Sequence, residues 1–199
     1  MKTISFRLAL EDDDEDIAKI YDPYVQYTAI TFEYETPSAD EFKRRIREIT
    51  CDYPFIVCTL DGRIIGYAYA HRHRERAAYQ WNAELSVYID NAYLRCGVGK
   101  ALYSALMEIL QMQNIRNVYG CVTWPNENSE KLHEYFGFKK SGIYHSTGYK
   151  LGAWHDVVWY EKAIGEYCLE PEPFISIKDI DMNVITDILD RYNRILPSK

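Results

Sequence analysis

The sequence predicts one α/β domain of the α+β type, in which helices flank a mixed, mostly antiparallel sheet. Two observations indicate this class: a tight hairpin signal at residues 55–70, and a switch between strand and helix periodicities along residues 84–162. A hairpin pairs its strands antiparallel, whereas a strand-helix-strand segment adds parallel strands. One mixed sheet with helices on its faces accommodates both kinds of segment.

The spacing of apolar residues locates the elements in chain order. Phe6 and Leu8 alternate with polar residues, as in a short strand, and the acidic run 11–16 precedes a helix. Asp61-Gly62 supplies the positive φ angles of a tight turn, and Gly137 ends a helix that Asn128 or Ser129 caps. We predict strands near 6–8, 55–60, 64–70, 84–89, 118–122 and 155–162, and helices near 17–21, 42–49, 100–110, 129–136 and 177–188.

The composition excludes several classes of protein. Of 199 residues, 30 are acidic and 23 basic, and 47% are hydrophobic, which is typical of a soluble globular chain. The net charge of −7 disfavours a general nucleic-acid binder. No apolar stretch approaches the ~20 residues of a membrane span, and acidic residues from Glu11 onward disfavour a secretory signal peptide. We therefore expect a cytoplasmic protein that binds neither membranes nor nucleic acid.

The cysteines and tyrosines narrow the prediction further. The five cysteines are an odd number and include no C-x-x-C pair, so we expect free thiols and no metal site. The 18 tyrosines favour a homo-oligomer or a polar pocket, because their rings pack while their hydroxyls need partners.

The most specific stretch is a strand that passes through a glycine-containing loop into a helix, residues 87–102. Gly97 and Gly99 allow a ligand to approach the backbone, and the helix start offers unpaired N–H groups. Arg95 and Lys100 add positive charge beside this loop. The spacing matches neither the dinucleotide-binding nor the P-loop pattern. Either a pyrophosphate site or a glycine-rich turn without a ligand explains this segment.

These residues resemble a known family. The stretch 95–100 is similar to the (Q/R)-x-x-G-x-(G/A) acetyl-coenzyme A signature of the GNAT N-acetyltransferases, with Lys100 where the pattern has Gly or Ala. Aligned as Arg95-x-Gly97-x-Gly99, it resembles the phosphinothricin and methionine sulfoximine acetyltransferase branch. The similarity covers about residues 3–163. Six further segments resemble that branch in the same order: 31–32, 78–84, 125–126, 132–134, 137–138 and 152–157.

The resemblance implies an acetyl-CoA site and no metal cofactor. Main-chain groups of the strand ending at Ile89 would hold the pantetheine arm, the loop would wrap the pyrophosphate, and the Val87 N–H would stabilise the oxyanion. Asn126 would either bind the coenzyme amide or cap a helix. The implied coenzyme-binding residues are Val87, Tyr88, Ile89, Arg95, Cys96, Gly97, Val98, Gly99, Lys100 and Asn126.

Two residues are the catalytic candidates. Glu84 lies on the polar face of its strand and matches the branch's base, which takes a proton from the substrate amine; the alternative is an exposed strand carboxylate. His133 stands where most GNAT enzymes have tyrosine, and is either a proton donor to the leaving thiolate or a packed histidine. An acyl intermediate on Cys96 or Cys121 is disfavoured, since no Cys-His-Asp order supports it.

The substrate candidates come from the same resemblance. Arg76 and Tyr79 stand where the branch has Arg and Tyr, and a guanidinium suits a substrate carboxylate. Arg72, Arg74 and Arg76 would share one face of a strand, or else lie in a solvated loop. The implied substrate-binding residues are Phe32, Arg74, Arg76, Tyr79 and Glu84, whereas Trp154, His155 and Asp156 are expected to be structural, with His155 and Asp156 hydrogen-bonded to each other.

The function implied is acetyl-CoA-dependent N-acetylation of the α-amine of a small amino acid analogue, such as phosphinothricin, methionine sulfoximine or methionine sulfone, by direct transfer in a ternary complex. The alternatives are an aminoglycoside or polyamine acceptor and a non-catalytic CoA-binding regulatory module. We expect a homodimer, an acetyltransferase domain at residues 1–165, and an extension at 166–199 made of a linker and a short helix that covers an edge strand or adds to a dimer contact.

Overall fold

The computed structural model describes residues 3–193, and this part of the chain folds as seven strands and five α-helices. The strands are β1 (Ile4–Leu8), β2 (Phe55–Leu60), β3 (Arg63–Arg72), β4 (Asn82–Ile89), β5 (Asn117–Trp124), β6 (Lys139–Lys150) and β7 (Ala153–Ala163). The helices are α1 (Asp14–Tyr27), α2 (Ala39–Ile49), α3 (Val98–Met112), α4 (Glu127–Tyr135) and α5 (Met182–Asn193).

The strands form one sheet in the order β1-β2-β3-β4-β5-β7-β6. Neighbouring strands run antiparallel except β4 and β5, which are parallel. The predicted mixed, mostly antiparallel sheet is therefore confirmed. Because α3 connects β4 to its parallel neighbour β5, it must cross one face of the sheet.

The turn between β2 and β3 has the predicted geometry. Asp61 and Gly62 both have positive φ, 50° and 86°, as a primed two-residue turn requires. The strand β6 was not predicted. Its twelve residues are mostly exposed at the edge of the sheet, and Gly142 and Gly148 interrupt the apolar alternation.

Each face of the sheet packs against its own helices. On one face, Leu85 and Ile89 of β4 join the same apolar core as Leu102 of α3. On the other face, Val57 and Tyr67 pack with residues of α1 and α2 such as Ile17. Side chains alternate along a strand, so even-numbered residues of β4, Glu84 among them, leave the sheet on the α1–α2 face.

The α1–α2 face contains a cluster of tyrosines. The ring of Tyr88 lies edge-on to Tyr21 and Tyr24, with centroids 4.9 and 5.3 Å away, and tilted against Tyr67 at 5.4 Å. Burial raises the pKa of Tyr67 and Tyr88 well above the ordinary value. These rings account for part of the tyrosine excess by core packing.

The C-terminal segment packs on the body of the protein. Ile185 and Leu189 of α5 belong to the core that α3 forms with the sheet, and the Phe6 N–H donates to Asn193 Oδ1 across 2.7 Å. The helix thus satisfies a main-chain group of the edge strand β1. A boundary at residue 165 stays a prediction, and residues 1–2 and 194–199 of the two predicted segments lie outside the described residues.

Between residues 3 and 193, no helix combines the length and the apolar character that a membrane span needs. Within the same range, no three His, Cys, Asp or Glu side chains converge as ligands of a metal ion.

Candidate active site

The strands β4 and β5 separate in the middle of the sheet. They pair only from Asn82 and Asn117 to Glu84 and Tyr119, whereas β5 stays paired with β7 as far as Trp124. The Asp90 N–H donates to Ile65 O on β3, which fixes the direction of the β4 main chain: even-numbered residues face β3 and odd-numbered residues face β5. Leu85, Val87 and Ile89 therefore turn their main-chain groups into the gap.

The direction of the β4 main chain shows which of the residues predicted to hold the pantetheine arm face the gap. The Val87 N–H faces the gap, as its predicted role requires. Ile89 also faces the gap, but the Tyr24 hydroxyl donates to its carbonyl across 2.6 Å and lies 3.3 Å from its N–H. Tyr88 differs from both: its main chain faces β3 opposite Tyr67 and its ring is packed among tyrosines, so neither part faces the gap.

The loop after β4 leads into the N-terminus of α3. Arg95 and Gly97 have positive φ, 61° and 87°, and Gly97 is the N-cap residue without a side-chain cap. The first N–H groups of α3, those of Val98, Gly99 and Lys100, lack partners of the usual intrahelical kind. They point out of the helix end, where its partial positive charge favours an anion.

The side chains of this loop differ in their exposure and in their contacts. Val98 is buried in the core, so only its main chain is free to contact a ligand. Arg95 and Cys96 are exposed. A Cβ on Gly99 would lie 3.9 Å from Ile89, an ordinary contact, so packing within the protein does not require glycine there. Lys100 places its ammonium 3.4 Å from the Tyr135 ring centroid, which orients it toward α4.

Asn126 caps α4, one of its two predicted roles. Its Oδ1 accepts from the Ser129 N–H at 3.2 Å, and its own N–H donates to Glu130 Oε1 at 3.3 Å. The predicted caps, Asn128 and Ser129, instead lie inside the helix. Gly137 follows the helix with a φ of 75°, in agreement with the predicted stop.

Glu84 occupies the last paired position before the strands separate, and two histidines flank it. His73 Nδ1 lies 3.7 Å from Glu84 Oε2, and His71 Nε2 lies 4.0 Å from Oε1. The Glu84 side chain is 20% exposed, so it is sheltered and still reachable from solvent. Burial lowers the pKa of His73, although the Glu84 charge acts in the opposite direction. A sheltered carboxylate in this position can accept a proton.

His133 is packed against β5 on the α3 side of the sheet. It is 2% exposed, and its Nδ1 donates to Ser129 O across 2.7 Å. Burial lowers its pKa, so the ring is neutral and Nε2 has a lone pair in place of a hydrogen. Among the described residues nothing hydrogen-bonds to Nε2. In this state the ring has no proton to give at Nε2, which favours the packing role.

The three arginines do not share a strand face. Only Arg72 lies in β3, whereas Arg74 and Arg76 lie in the exposed loop that follows. The Arg74 guanidinium lies 5.5 Å from the centroid of the Tyr79 ring. Arg72 and Arg76 line a cavity of about 240 Å³ that Phe174 also lines. The solvated-loop interpretation therefore describes Arg74 and Arg76 better than the strand interpretation.

The loop between α1 and α2 forms a wall beside the β6–β7 hairpin. Phe32 packs against the backbone of Gly148, where an added Cβ would lie less than 3 Å from its ring. The buried ammonium of Lys150 donates to Thr31 O at 2.8 Å, and burial lowers its pKa. The Tyr34 hydroxyl donates to Tyr149 O at 2.6 Å. Phe32 thus has a fixed place in the structure.

The predicted pair of His155 and Asp156 is wrong. His155 Nε2 lies 3.0 Å from the Lys150 carbonyl, whereas Asp156 binds His145 Nδ1 at 2.9 Å and the Ser146 N–H at 2.8 Å. Adjacent residues of a strand point to opposite faces, so they cannot pair side by side.

His71 and His73 were missed in the sequence. The predicted strand ended at Ala70, whereas β3 continues to Arg72 and brings His71 directly opposite Glu84. Extending the hairpin register by two residues would have placed His71 on the polar face, but the position opposite it on β4 follows only from the tertiary pairing.

A cavity of about 160 Å³ adjoins this cluster. His73, Arg74 and Tyr119 line it from one side, and Tyr144 and Trp159 line it from β6 and β7. The cavity extends the space beside Glu84 between aromatic walls and one guanidinium.

Comparisons with known proteins agree with this architecture. Residues 6–159 match the Acetyltransferase (GNAT) domain family. A phosphinothricin N-acetyltransferase of Streptomyces viridochromogenes is 29% identical over 179 residues, 90% of this chain and 97% of that protein. An L-methionine sulfoximine/L-methionine sulfone acetyltransferase of Salmonella typhimurium is 25% identical over 166 residues, 82% of this chain and 96% of that protein.

A solved structure gives the same result. The crystal structure of a GNAT superfamily phosphinothricin acetyltransferase from Sinorhizobium meliloti in complex with AcCoA superposes with a TM-score of 0.81 and 32% identity, and covers 85% of this chain and 94% of that chain. The separated parallel strands, the uncapped start of α3 and the family match together show that the chain belongs to the GNAT acetyltransferase family.

Proposed function

We propose that this protein is an acetyl-CoA-dependent N-acetyltransferase that acts on the α-amine of a small amino acid analogue such as phosphinothricin, methionine sulfoximine or methionine sulfone. The observation that carries the proposal is the position of Glu84, a sheltered carboxylate at the point where β4 and β5 separate. The relatives' names and their coverage of this chain support the substrate class.

The start of α3 fits the diphosphate of acetyl-CoA. Gly97 adopts a conformation that exposes the loop amides, and the helix begins without a side-chain cap that would compete for them. In our proposal the amides of residues 95–100 bind the diphosphate, Arg95 and Lys100 supply charge, and Cys96 contributes its main chain. Bound acetyl-CoA supplies the thioester that is attacked. We propose Val87 as the free main-chain contact in the gap, Ile89 as a contact that must exchange the Tyr24 hydroxyl for the coenzyme, and no coenzyme contact for Tyr88.

Glu84 is the proposed general base. An amino acid's ammonium group must lose a proton before its nitrogen is nucleophilic, and a carboxylate on the adjacent strand accepts that proton. The Val87 N–H faces the gap and stabilises the oxyanion that develops on the carbonyl. The thiolate needs little help to leave, since a thiol has a pKa of about 8.5. We assign His133 to packing and Asn126 to capping.

The proposed substrate pocket lies on the α1–α2 face. Arg74 lines the cavity beside His73 and is the proposed partner of the substrate carboxylate, and the Tyr79 ring lies 5.5 Å from its guanidinium. Phe32 forms part of the proposed wall on the side of the β6–β7 hairpin. We also propose Arg76 as a substrate contact. The support for it is that its long side chain is exposed in the loop that follows β3.

The test is thiol release from acetyl-CoA with a panel of amines. The proposed activity predicts turnover of methionine sulfoximine or phosphinothricin, and a loss of about a hundredfold or more in kcat for Glu84→Gln with unchanged acetyl-CoA binding. If only an aminoglycoside or a polyamine is acetylated, the proposed substrate class is wrong and that cationic amine class takes its place. Tight acetyl-CoA binding without turnover of any amine would favour a regulatory CoA-binding module.

We further propose a cytoplasmic homodimer that uses the β6–β7 hairpin. Five large apolar side chains of this hairpin are 48–65% exposed, which is unusual for the free surface of a monomer. They are Ile143, Tyr144, Tyr149, Leu151 and Trp154.

A further inference from the structure

Two histidines stand on either side of Glu84 in positions that the proposed base mechanism does not use. His71 is the cross-strand neighbour of Glu84 in the β3–β4 register, and its Nε2 is 4.0 Å from Oε1. His73 follows the strand, with Nδ1 3.7 Å from Oε2. The His71 side chain is 40% exposed and the His73 side chain 13%. His71 is therefore the more open of the two rings, and His73 is mostly buried.

The hydrogen-bond partners give the two rings opposite tautomers. His71 Nδ1 lies 3.0 Å from the Arg72 carbonyl, which only accepts, so Nδ1 has the hydrogen and Nε2 has the lone pair. For His73, the Arg74 Nε–H donates to Nε2 across 3.5 Å, so the hydrogen is on Nδ1. Glu84 thus faces an acceptor beside Oε1 and a donor beside Oε2.

The surroundings fix His73 and leave His71 free to respond. His73 stacks on the Tyr119 ring, with centroids 4.2 Å apart and 13° between the planes, and lies edge-on to Trp159 at 5.5 Å. His71 has one aromatic neighbour, Tyr69, at 6.1 Å, and is otherwise open on its exposed side.

Other titratable groups approach this cluster from the elements around it. They are Tyr69 and Arg74 near the end of β3, Tyr119 and Cys121 on β5, Tyr144 on β6, and the ion pair of Glu33 with Arg45 from the α1–α2 region. Burial raises the pKa of Tyr69, Tyr119 and Cys121, so these three groups are neutral near neutral pH. His71 is therefore the group of the cluster that stands opposite Glu84 and directs Nε2 toward Oε1.

We propose that His71 receives from Glu84 the proton that the substrate ammonium loses and releases it to solvent, while His73 is a positioning residue whose Nδ1–H faces Oε2 at 3.7 Å without a hydrogen bond. This inference rests on the proposed acetyltransferase function. The ammonium N–H bond breaks as an O–H bond forms on Glu84 Oε1. The freed nitrogen lone pair attacks the thioester carbonyl, the C–S bond breaks with its electron pair on sulfur, and the second proton that the nitrogen loses on becoming an amide goes to that thiolate. The proton on Oε1 then moves to the lone pair of His71 Nε2, and the imidazolium releases a proton to water.

The chemistry of the two groups gives the transfer a direction. Imidazole in model compounds binds a proton about two pKa units more tightly than a carboxylate, a factor of about a hundred. A carboxylate alone is a weak acceptor for an ammonium proton, and an adjoining imidazole makes the removal more complete. The separation of 4.0 Å exceeds a hydrogen bond by about 1 Å, so the proposed transfer requires the Glu84 carboxylate to move toward His71.

The test compares His71→Gln, His73→Phe and the control Arg72→Gln, with kcat, KM, acetyl-CoA affinity and the thermal midpoint measured for each. Arg72 is the neighbour of His71 and leaves β3 on the opposite face, so we expect wild-type kinetics there. His71→Gln should lose about tenfold to about a hundredfold in kcat near neutral pH with unchanged acetyl-CoA affinity and midpoint. Added imidazole should restore its rate, because a diffusible base can take the proton. His73→Phe keeps the stacking and loses the donor, so its rate should fall and not respond to imidazole.

The results separate the two proposals. Wild-type kcat in His71→Gln from about pH 6 to about pH 8, or a loss that imidazole does not restore, overturns the relay and leaves the acetyltransferase function intact. A wild-type protein that transfers acetyl to no amine overturns both. If imidazole restores the rate of His73→Phe as fully as that of His71→Gln, the assignment of proton transfer to His71 and positioning to His73 is overturned.

Discussion

Gly120 on β5 leaves no space for a side chain, and Gly120→Ala tests how His133 is packed. A Cβ built on Gly120 would clash with His133 Nε2 and lie 3.0 Å from its Cδ2. His133 cannot move aside easily, because it stacks on Tyr160 at 4.8 Å and lies edge-on to Phe138 at 4.9 Å. Its Nδ1–H bond to Ser129 O fixes the ring from the helix side.

The size of the effect follows from this enclosure. An extra methyl group in a packed site lowers the free energy of unfolding by about 1–3 kcal/mol. Replacing glycine by alanine offsets roughly 0.4–1 kcal/mol of this loss, because the unfolded chain then has less conformational entropy. A net loss of about 1–2 kcal/mol lowers the thermal midpoint of a chain this long by roughly 2–8 °C. Calorimetry and urea unfolding of the purified protein measure it.

Gly142→Ala is the matched control. Gly142 also lies in a strand, and nothing stands within 4 Å of the position of an added Cβ. We expect its midpoint to equal or slightly exceed that of the wild type. Removing the ring in the double variant Gly120→Ala/His133→Ala should cost less than the sum of the single changes, since the clash is then absent. A midpoint for Gly120→Ala equal to that of Gly142→Ala would refute the packing of His133 against β5.

The remaining predictions concern pH and the loop before α3. Burial lowers the pKa of His133, so the unfolded chain binds a proton that the folded protein excludes, and stability should fall as the pH drops below the ordinary imidazole value of about 6.5. Thermal midpoints measured above and below this pH should fall less for His133→Gln than for the wild type. An equal fall in the two proteins would contradict a buried neutral ring. Gly97→Ala should lose about 1–2 kcal/mol in urea unfolding because Gly97 has a φ of 87°, and an unchanged urea midpoint would argue against that conformation.

The sequence was informative wherever a local pattern decides structure. Asp61-Gly62 predicted its turn because few residue pairs adopt two positive φ angles. The apolar period after Lys100 predicted α3, although the helix begins two residues earlier at Val98. The glycines around Arg95 and the ordered segments of the family resemblance predicted the acetyltransferase class.

Local patterns were weaker where several elements compete. The strand β6 has a polar, glycine-containing sequence, and pairing with β7 rather than its own propensity makes it a strand. Asn126, Asn128 and Ser129 all suit a helix cap, and the chain geometry selected Asn126. Arg72, Arg74 and Arg76 alternate in sequence as if on a strand, but β3 ends at Arg72.

The sequence by itself thus determined the fold class and the glycine loop at the start of α3, because each depends on backbone preferences or periodicities within a few residues; it placed Glu84 on the polar face of a strand, and the family resemblance made that residue a candidate base. The tertiary structure decided which groups meet. The register of β3 with β4 places His71 opposite Glu84, the separation of β4 from β5 turns Val87 rather than Tyr88 toward the gap, and α4 packs His133 against Gly120. These contacts join residues distant in the chain, and long-range pairing with burial sets them.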